Sequence, residues 1–284
     1  MKVSEHRFVI DELRICYLAN NADIQRFENV EVGEHIEIGD FSFYRILNDR
    51  FRYCFDILMF NEQVAQLKFG HYTDNDDEII HTYFKVMNPV FYNPKLLHTV
   101  LKLPDTLGFI INNITSIDIA FDASFNIPSL VKKMMRDAEV TTIINGKAVQ
   151  DRKKILSEIY FEYSTNLERL KHPTITIKQR KAQRYKNAGI VVQAYDKLAE
   201  IENSSDKQYI LDYYQKPKRL YRMEVRLPYQ ELKDYFGNRN IVPTADMLFD
   251  NDTLKEIFIY HLSSVIRFKR NRERIQWIDL LRMS

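Results

Sequence analysis

Cysteine is nearly absent from this 284-residue chain, which has two, Cys16 and Cys54, in the separate apolar runs LRICYL and RYCFDILMF. That excludes a disulfide framework, and no Cys/His ladder of zinc spacing occurs, so buried thiols in a reducing compartment are expected. Glycine (7) and proline (8) are scarce, which argues against disorder. Neither GxGxxG nor GxxxxGK is present, so a glycine loop of either type cradling phosphate is excluded. An excess of one charge is lacking too: 41 Lys+Arg stand against 39 Asp+Glu, a net of +2. Bulk charge therefore cannot hold nucleic acid, although a local basic groove can. No apolar run approaches the ~20 residues that span a bilayer. The opening MKVSEHRFVIDELR is charged where a signal peptide would be apolar. The expectation is a folded, soluble, cytoplasmic protein with no membrane partner.

What is present is hydrophobic patterning (45% of residues) in a length that suits one large domain or two small ones. Short runs rich in β-branched and aromatic residues predict strands at Leu13–Leu18, Phe43–Leu47, Tyr53–Met59, Val64–Phe69 and Thr82–Met87. Asn93-Pro94 opens a helical spacing, KLLHTVLKL, that Pro104 is expected to stop. A strand at Ser116–Phe121, a helix from about Ser129, and a charged helix over Asp151–Leu170 follow. Strands at Thr174–Ile177 and Ile190–Ala194 flank the basic segment KQRKAQRYKN, and a strand at Tyr221–Leu227 runs into a helix opened by Pro228. Asn251 to Leu281 reads as helical with a basic middle, RFKRNRER. Strands and helices mix without strict βαβ alternation, so the class is α+β, with a mostly antiparallel central sheet flanked by helices.

Three segments put polar residues on one strand face. In TSIDIAFD, Asp118, Ala120 and Asp122 share a face opposite Ile117, Ile119 and Phe121. Two carboxylates separated by an alanine suit a hard divalent cation such as Mg²⁺, or an ordinary solvent-facing edge. In YRMEVRL, Glu224 lies between Arg222 and Arg226. That triplet suits a metal ligand with phosphate-binding arginines, or a structural ion-pair ladder. In IVVQAYDKLAEI, Gln193, Tyr195 and Lys197 alternate on one side. A tyrosine beside a cation is chemically suited to attack phosphorus, although it is one of 17 tyrosines. Upstream, Lys178, Arg180, Lys181, Arg184 and Lys186 form a basic run that reads as a backbone-phosphate contact or a solvated face. A second cluster, which includes Arg270, Arg272 and Arg274, is expected on a C-terminal helix, the element that fits a major groove.

In order, these segments resemble the rolling-circle replication initiators of staphylococcal plasmids, a broad family that takes in phage replication initiation factors and nicking proteins of conjugative transposons. The matching residues are Ile117-Asp118-Ile119-Ala120-Phe121-Asp122, Tyr195-Asp196-Lys197-Leu198-Ala199-Glu200 and Arg222-Met223-Glu224-Val225-Arg226-Leu227, with HTYFKVMNP similar to the family's strand-Asn-Pro-helix opening. The resemblance covers roughly Asp11 to Phe236. The Gly-Ser-(Arg/Lys)-x-Ser-like stretch usual before the tyrosine strand is replaced by TITIKQRKAQRYKN, and Ser116 stands where a basic residue is common.

The resemblance implies a degenerate relative of the HUH-endonuclease and relaxase fold. It implies a metal-dependent nickase whose Tyr195 forms a 5′-phosphotyrosyl intermediate at a replication origin and frees a 3′-OH. Asp118, Asp122 and Glu224 would bind Mg²⁺ or Mn²⁺ or support its ligands, and Lys197 would contact the scissile phosphate or leaving oxygen. Lys178, Arg180, Lys181, Arg184, Lys186, Arg222, Arg226, Arg270, Arg272 and Arg274 would hold DNA. Residues 1–240 would form the nicking and joining domain and 241–284 a helical part for origin recognition. The implied partners are origin DNA, single-stranded or cruciform at the nick site, a host helicase and a second copy in a homodimer, all in a bacterial cytoplasm. The alternatives are a conjugative relaxase, a non-catalytic origin-binding initiator, and an RNA-binding or structural protein.

Overall fold

A computed structural model describes residues 7–71, 79–149, 174–179 and 189–282. It is α+β, with a large, mostly antiparallel sheet flanked by helices. The chain divides into two compact units: Met1–Ile10, Asp118–Glu231 and Met247–Ser284 in the first, Asp11–Ile117 and Leu232–Asp246 in the second. Among the described residues no helix is long and apolar enough to cross a membrane.

The second unit is a meander. β1 (Arg7–Asn20), most of which belongs here, pairs with β6 (Ile79–Val86), followed in the sheet by β5 (Glu62–His71), β4 (Phe51–Met59), β3 (Phe41–Arg45) and β2 (His35–Ile38). Alternation buries one face. The helix α1 (Asn21–Glu28) lays Phe27 against Phe43, Phe55 and Phe69, with ring centroids 5.3, 5.2 and 5.9 Å away. Its start is written in the sequence as a capping box, Asn20 and Asp23 each accepting the other's backbone N–H at 3.0 Å. In α2 (Pro94–Thr106), Pro104 lies inside the last turn and does not stop the helix. The stop falls at Gly108, whose φ of +87° is the left-handed conformation that ends helices.

The first unit carries the sheet order β10 (Ile175–Lys178), β11 (Val191–Asp196), β12 (Tyr221–Pro228), β7 (Ile110–Ala123, of which Asp118 onward belongs here). Its apolar face includes Phe121, which packs against Phe8, itself 5.2 Å from Phe258 of α7 (Asn251–Val265). Here α3 (Ile127–Arg136) begins two residues before Ser129, α4 (Lys197–Ser204) and α5 (Gln208–Tyr213) follow β11, and α6 (Tyr229–Gly237) follows β12 and lies mostly in the second unit. The expected charged helix over Asp151–Leu170 lies outside the described residues.

The C-terminal region corrects the expectation of one helical pattern. After α7 the chain forms a hairpin, β13 (Ile266–Arg270) and β14 (Glu273–Ile275), before α8 (Trp277–Arg282). The hairpin joins β8 (Val140–Ile144) and β9 (Lys147–Ala148) in a second sheet, ordered β14-β13-β8-β9. The reason is local: Ile266 and Phe268 are buried between the more exposed Arg267 and Lys269, a period of two. Asn271 and Arg272, at φ +50° and +71°, make the two-residue turn. The indole N–H of Trp277 then donates to the Ile266 carbonyl at 2.8 Å.

Candidate functional site

β7 and β12 bring together most of the acids and arginines that the alternation put on one face. The face is not open. Asp118 and Asp122 are 3% and 1% exposed, and Ala120 between them is fully buried. The room expected beside Ala120 is therefore covered, and β7 is enclosed on both sides over these residues. On β12, Arg222 is fully buried and Glu224 nearly so, while Arg226 reaches solvent.

The buried groups form a chain of charge-assisted hydrogen bonds joined by one ion-pair contact. Arg222 donates through Nε and Nη2 to the two oxygens of Asp122 at 2.6 and 2.7 Å, a bidentate pair. Tyr214 donates its hydroxyl to Asp122 Oδ2 at 2.8 Å. The third guanidinium nitrogen, Nη1, stands 3.6 Å from Glu224 Oε1. That same oxygen accepts the hydroxyl of Tyr195 at 2.8 Å. One rung away, Arg226 Nε donates to Asp118 Oδ2 at 2.8 Å. The two Arg–Asp pairs step four residues in opposite senses along β7 and β12, as antiparallel neighbours do.

Register places Tyr195 in this chain. β11 pairs with β12 so that Tyr195 is opposite Arg222 and Gln193 opposite Glu224, which makes Tyr195 and Glu224 diagonal neighbours on one face. Gln193 continues the rung to β10 through Thr176, 3.3 Å away. The residues after Tyr195 have local work. Asp196 caps α4, its carboxylate accepting the Ala199 N–H at 3.0 Å. Lys197 is 1% exposed, its ammonium 2.7 Å from Glu200 and 5.6 Å from the Tyr195 ring centroid. Tyr195, Lys197 and Glu200 thus come together as the strand-to-helix spacing suggests.

Other expected site residues fall elsewhere. Arg222, expected at DNA, has no solvent exposure and holds two carboxylates instead. Lys178 is exposed at the end of β10, whereas Arg180, Lys181, Arg184 and Lys186 lie outside the described residues. Arg270, Arg272 and Arg274 lie on or at the turn of the β13–β14 hairpin, not on a helix. Tyr214 was missed. Nothing in DYYQKP distinguishes its hydroxyl from sixteen others, since its partner Asp122 is 92 residues away.

As metal ligands the three acids divide. Both oxygens of Asp122 are held by Arg222 and Tyr214, so Asp122 does not fit a cation. Asp118 and Glu224 have the hard oxygen chemistry that Mg²⁺ or Mn²⁺ takes, but each faces an arginine. Among the described residues no group of three or more His, Cys, Asp or Glu is arranged to hold a metal ion. No protein-family model and no curated protein matches the chain.

Proposed function

We propose that the protein is a DNA nicking and joining enzyme that starts rolling-circle replication of a plasmid, phage or mobile element, with Tyr195 as nucleophile and a relaxase-like sheet as scaffold. The observation that carries this reading is the Tyr195 hydroxyl donating to Glu224 at 2.8 Å at one end of a buried carboxylate–arginine chain. A nucleophile and a base within hydrogen-bond reach, the base fixed by a third group, is the arrangement covalent catalysis needs.

In the step, the phenolic oxygen of Tyr195 forms a bond to phosphorus while its proton passes to Glu224. The bond from phosphorus to the 3′-oxygen breaks, the oxygen takes up a proton, and the products are a 5′-phosphotyrosyl strand and a free 3′-OH. Attack of that 3′-OH reverses the step and rejoins the strand. Arg222 lies against the Glu224 oxygen that accepts from Tyr195, and Asp122 and Tyr214 keep Arg222 in place. Lys197, buried and paired with Glu200 at 2.7 Å, lies beside the Tyr195 ring and acts by fixing the start of α4 against it, not by contact with the phosphate. A divalent ion would be held by Asp118 and Glu224 without Asp122, and would supply charge neutralisation at the phosphate.

The test replaces Tyr195 by Phe, which keeps the ring and deletes the attacking oxygen. With supercoiled DNA carrying the sequence that flanks its own coding region, the wild type should nick and become covalently attached. The Tyr195→Phe protein should do neither while binding the DNA as before. Undiminished adduct in the variant refutes the assignment. A conjugative relaxase would use the same residues and differ in the DNA it recognises.

A further inference from the structure

The β13–β14 hairpin sorts the C-terminal cations into two sets. On the inner face, with the buried Ile266 and Phe268, Arg270 pairs with Asp137 at 2.7 Å, lies 3.9 Å from Glu139 and has Glu273 as its cross-strand partner. Its charge is spent within the fold. On the outer face Arg267 and Lys269 lie two residues apart on β13, and Lys269 is paired directly with Arg274 of β14. Arg272 sits at the turn. Among the described residues none of Arg267, Lys269, Arg272 and Arg274 has an ion-pair partner.

Two features of this outer set work against stability. Like charges directly opposite across an antiparallel pair repel. Arg272 also takes φ +71° at a turn position where glycine has no steric cost. The repulsion is relieved when a polyanion lies along the outer face, and the turn that Arg272 strains keeps its guanidinium at the end of the same row. β13 and β14 form an edge ribbon of the four-stranded second sheet, so these cations line a sheet margin as one row of positive charge, which suits a row of phosphates. We infer that Arg267, Lys269, Arg272 and Arg274 form a ribbon that docks on the phosphate backbone of duplex DNA, and that Arg270 belongs to the fold and not to this surface. The inference rests on the proposed action on DNA, yet it needs no strand to be cut.

The experiment compares the salt dependence of binding to a short duplex of arbitrary sequence, and to one of its single strands, for the full-length protein. Replacing Arg267, Lys269 and Arg274 together by Gln should flatten the slope of log affinity against log salt on duplex by roughly two to three units. The thermal midpoint should stay or rise, because the repulsion is relieved. Arg270→Gln should leave the slope and lower the midpoint. Arg272→Gly should raise the midpoint and weaken duplex binding. An unchanged slope in the triple variant, a loss confined to the single strand, or an equal loss in Arg270→Gln overturns the inference. A protein that binds duplex through the ribbon but never forms an adduct refutes only the nicking reading. One that forms the adduct with an unaltered slope refutes only the ribbon.

Discussion

Arg222 has no solvent to share its charge with, so everything it does is decided by Asp122, Glu224 and the geometry that joins them. Removing one partner of a buried pair leaves an uncompensated charge, which costs about 3–5 kcal/mol, whereas replacing both by apolar residues costs far less. Arg222→Ala should therefore drop the thermal midpoint sharply, and Asp122→Leu with Arg222→Met should recover part of the loss, since Glu224 stays without its arginine. Arg222→Lys should fail as a rescue, since an ammonium cannot make the bidentate contact. Equal destabilisation by the single and double changes in calorimetry would contradict this. Cys54 gives a second test at this scale. Burial pushes its thiol up to about 11, with Asp56 adding to the rise and Lys68 opposing it. The folded state thus holds the thiol protonated after the unfolded chain has begun to ionise near 9. Its contribution to stability is complete below about pH 9 and is lost as pH rises through about 11. Denaturant midpoints followed across that window should fall for the wild type and fall less for Cys54→Ala.

At the scale of elements, legibility followed period. TSIDIAFD and YRMEVRL alternate so regularly that their strands and shared polar face were readable from the sequence. The same alternation is silent on what covers that face, so Arg222 read as a DNA contact and the face beside Ala120 as open. The β13–β14 hairpin was missed for a related reason. Its alternating stretch, Ile266 to Arg270, directly continues α7, and the charged residues that follow suit a solvated helix equally well. The Asn271-Arg272 turn carries no glycine to announce itself. At the other end of α7, Asp250 accepts the Thr253 hydroxyl and the backbone N–H groups of Asp252 and Thr253, which hold its carboxyl below the usual range. Asp250→Ala should lower the midpoint at neutral pH. The difference from wild type should shrink as pH falls through the carboxylate's range, because the cap acts as the anion. A difference independent of pH would mean the cap does not act through its charge.

For the whole molecule, the two units interleave along the chain, with β1 and β7 contributing to both, an arrangement no single linear boundary expresses. Local sequence could not forecast it, because Tyr195, Glu224, Asp122 and Tyr214 meet through hydrogen bonds between residues 29, 92 and 100 positions apart. The spacing of the three motifs made Tyr195 the candidate. The structure adds the route from its hydroxyl through Glu224 and Arg222 to Asp122. The most direct test of the central claim is mass spectrometry of the protein after reaction with supercoiled DNA carrying the sequence that flanks its own coding region, with Mg²⁺ or Mn²⁺ and with EDTA. The account predicts one nucleotide-bearing peptide, modified at Tyr195, abolished by Tyr195→Phe and by EDTA, and reduced by orders of magnitude in Glu224→Gln. An adduct on another tyrosine, or nicked DNA with no adduct on the protein, would contradict it.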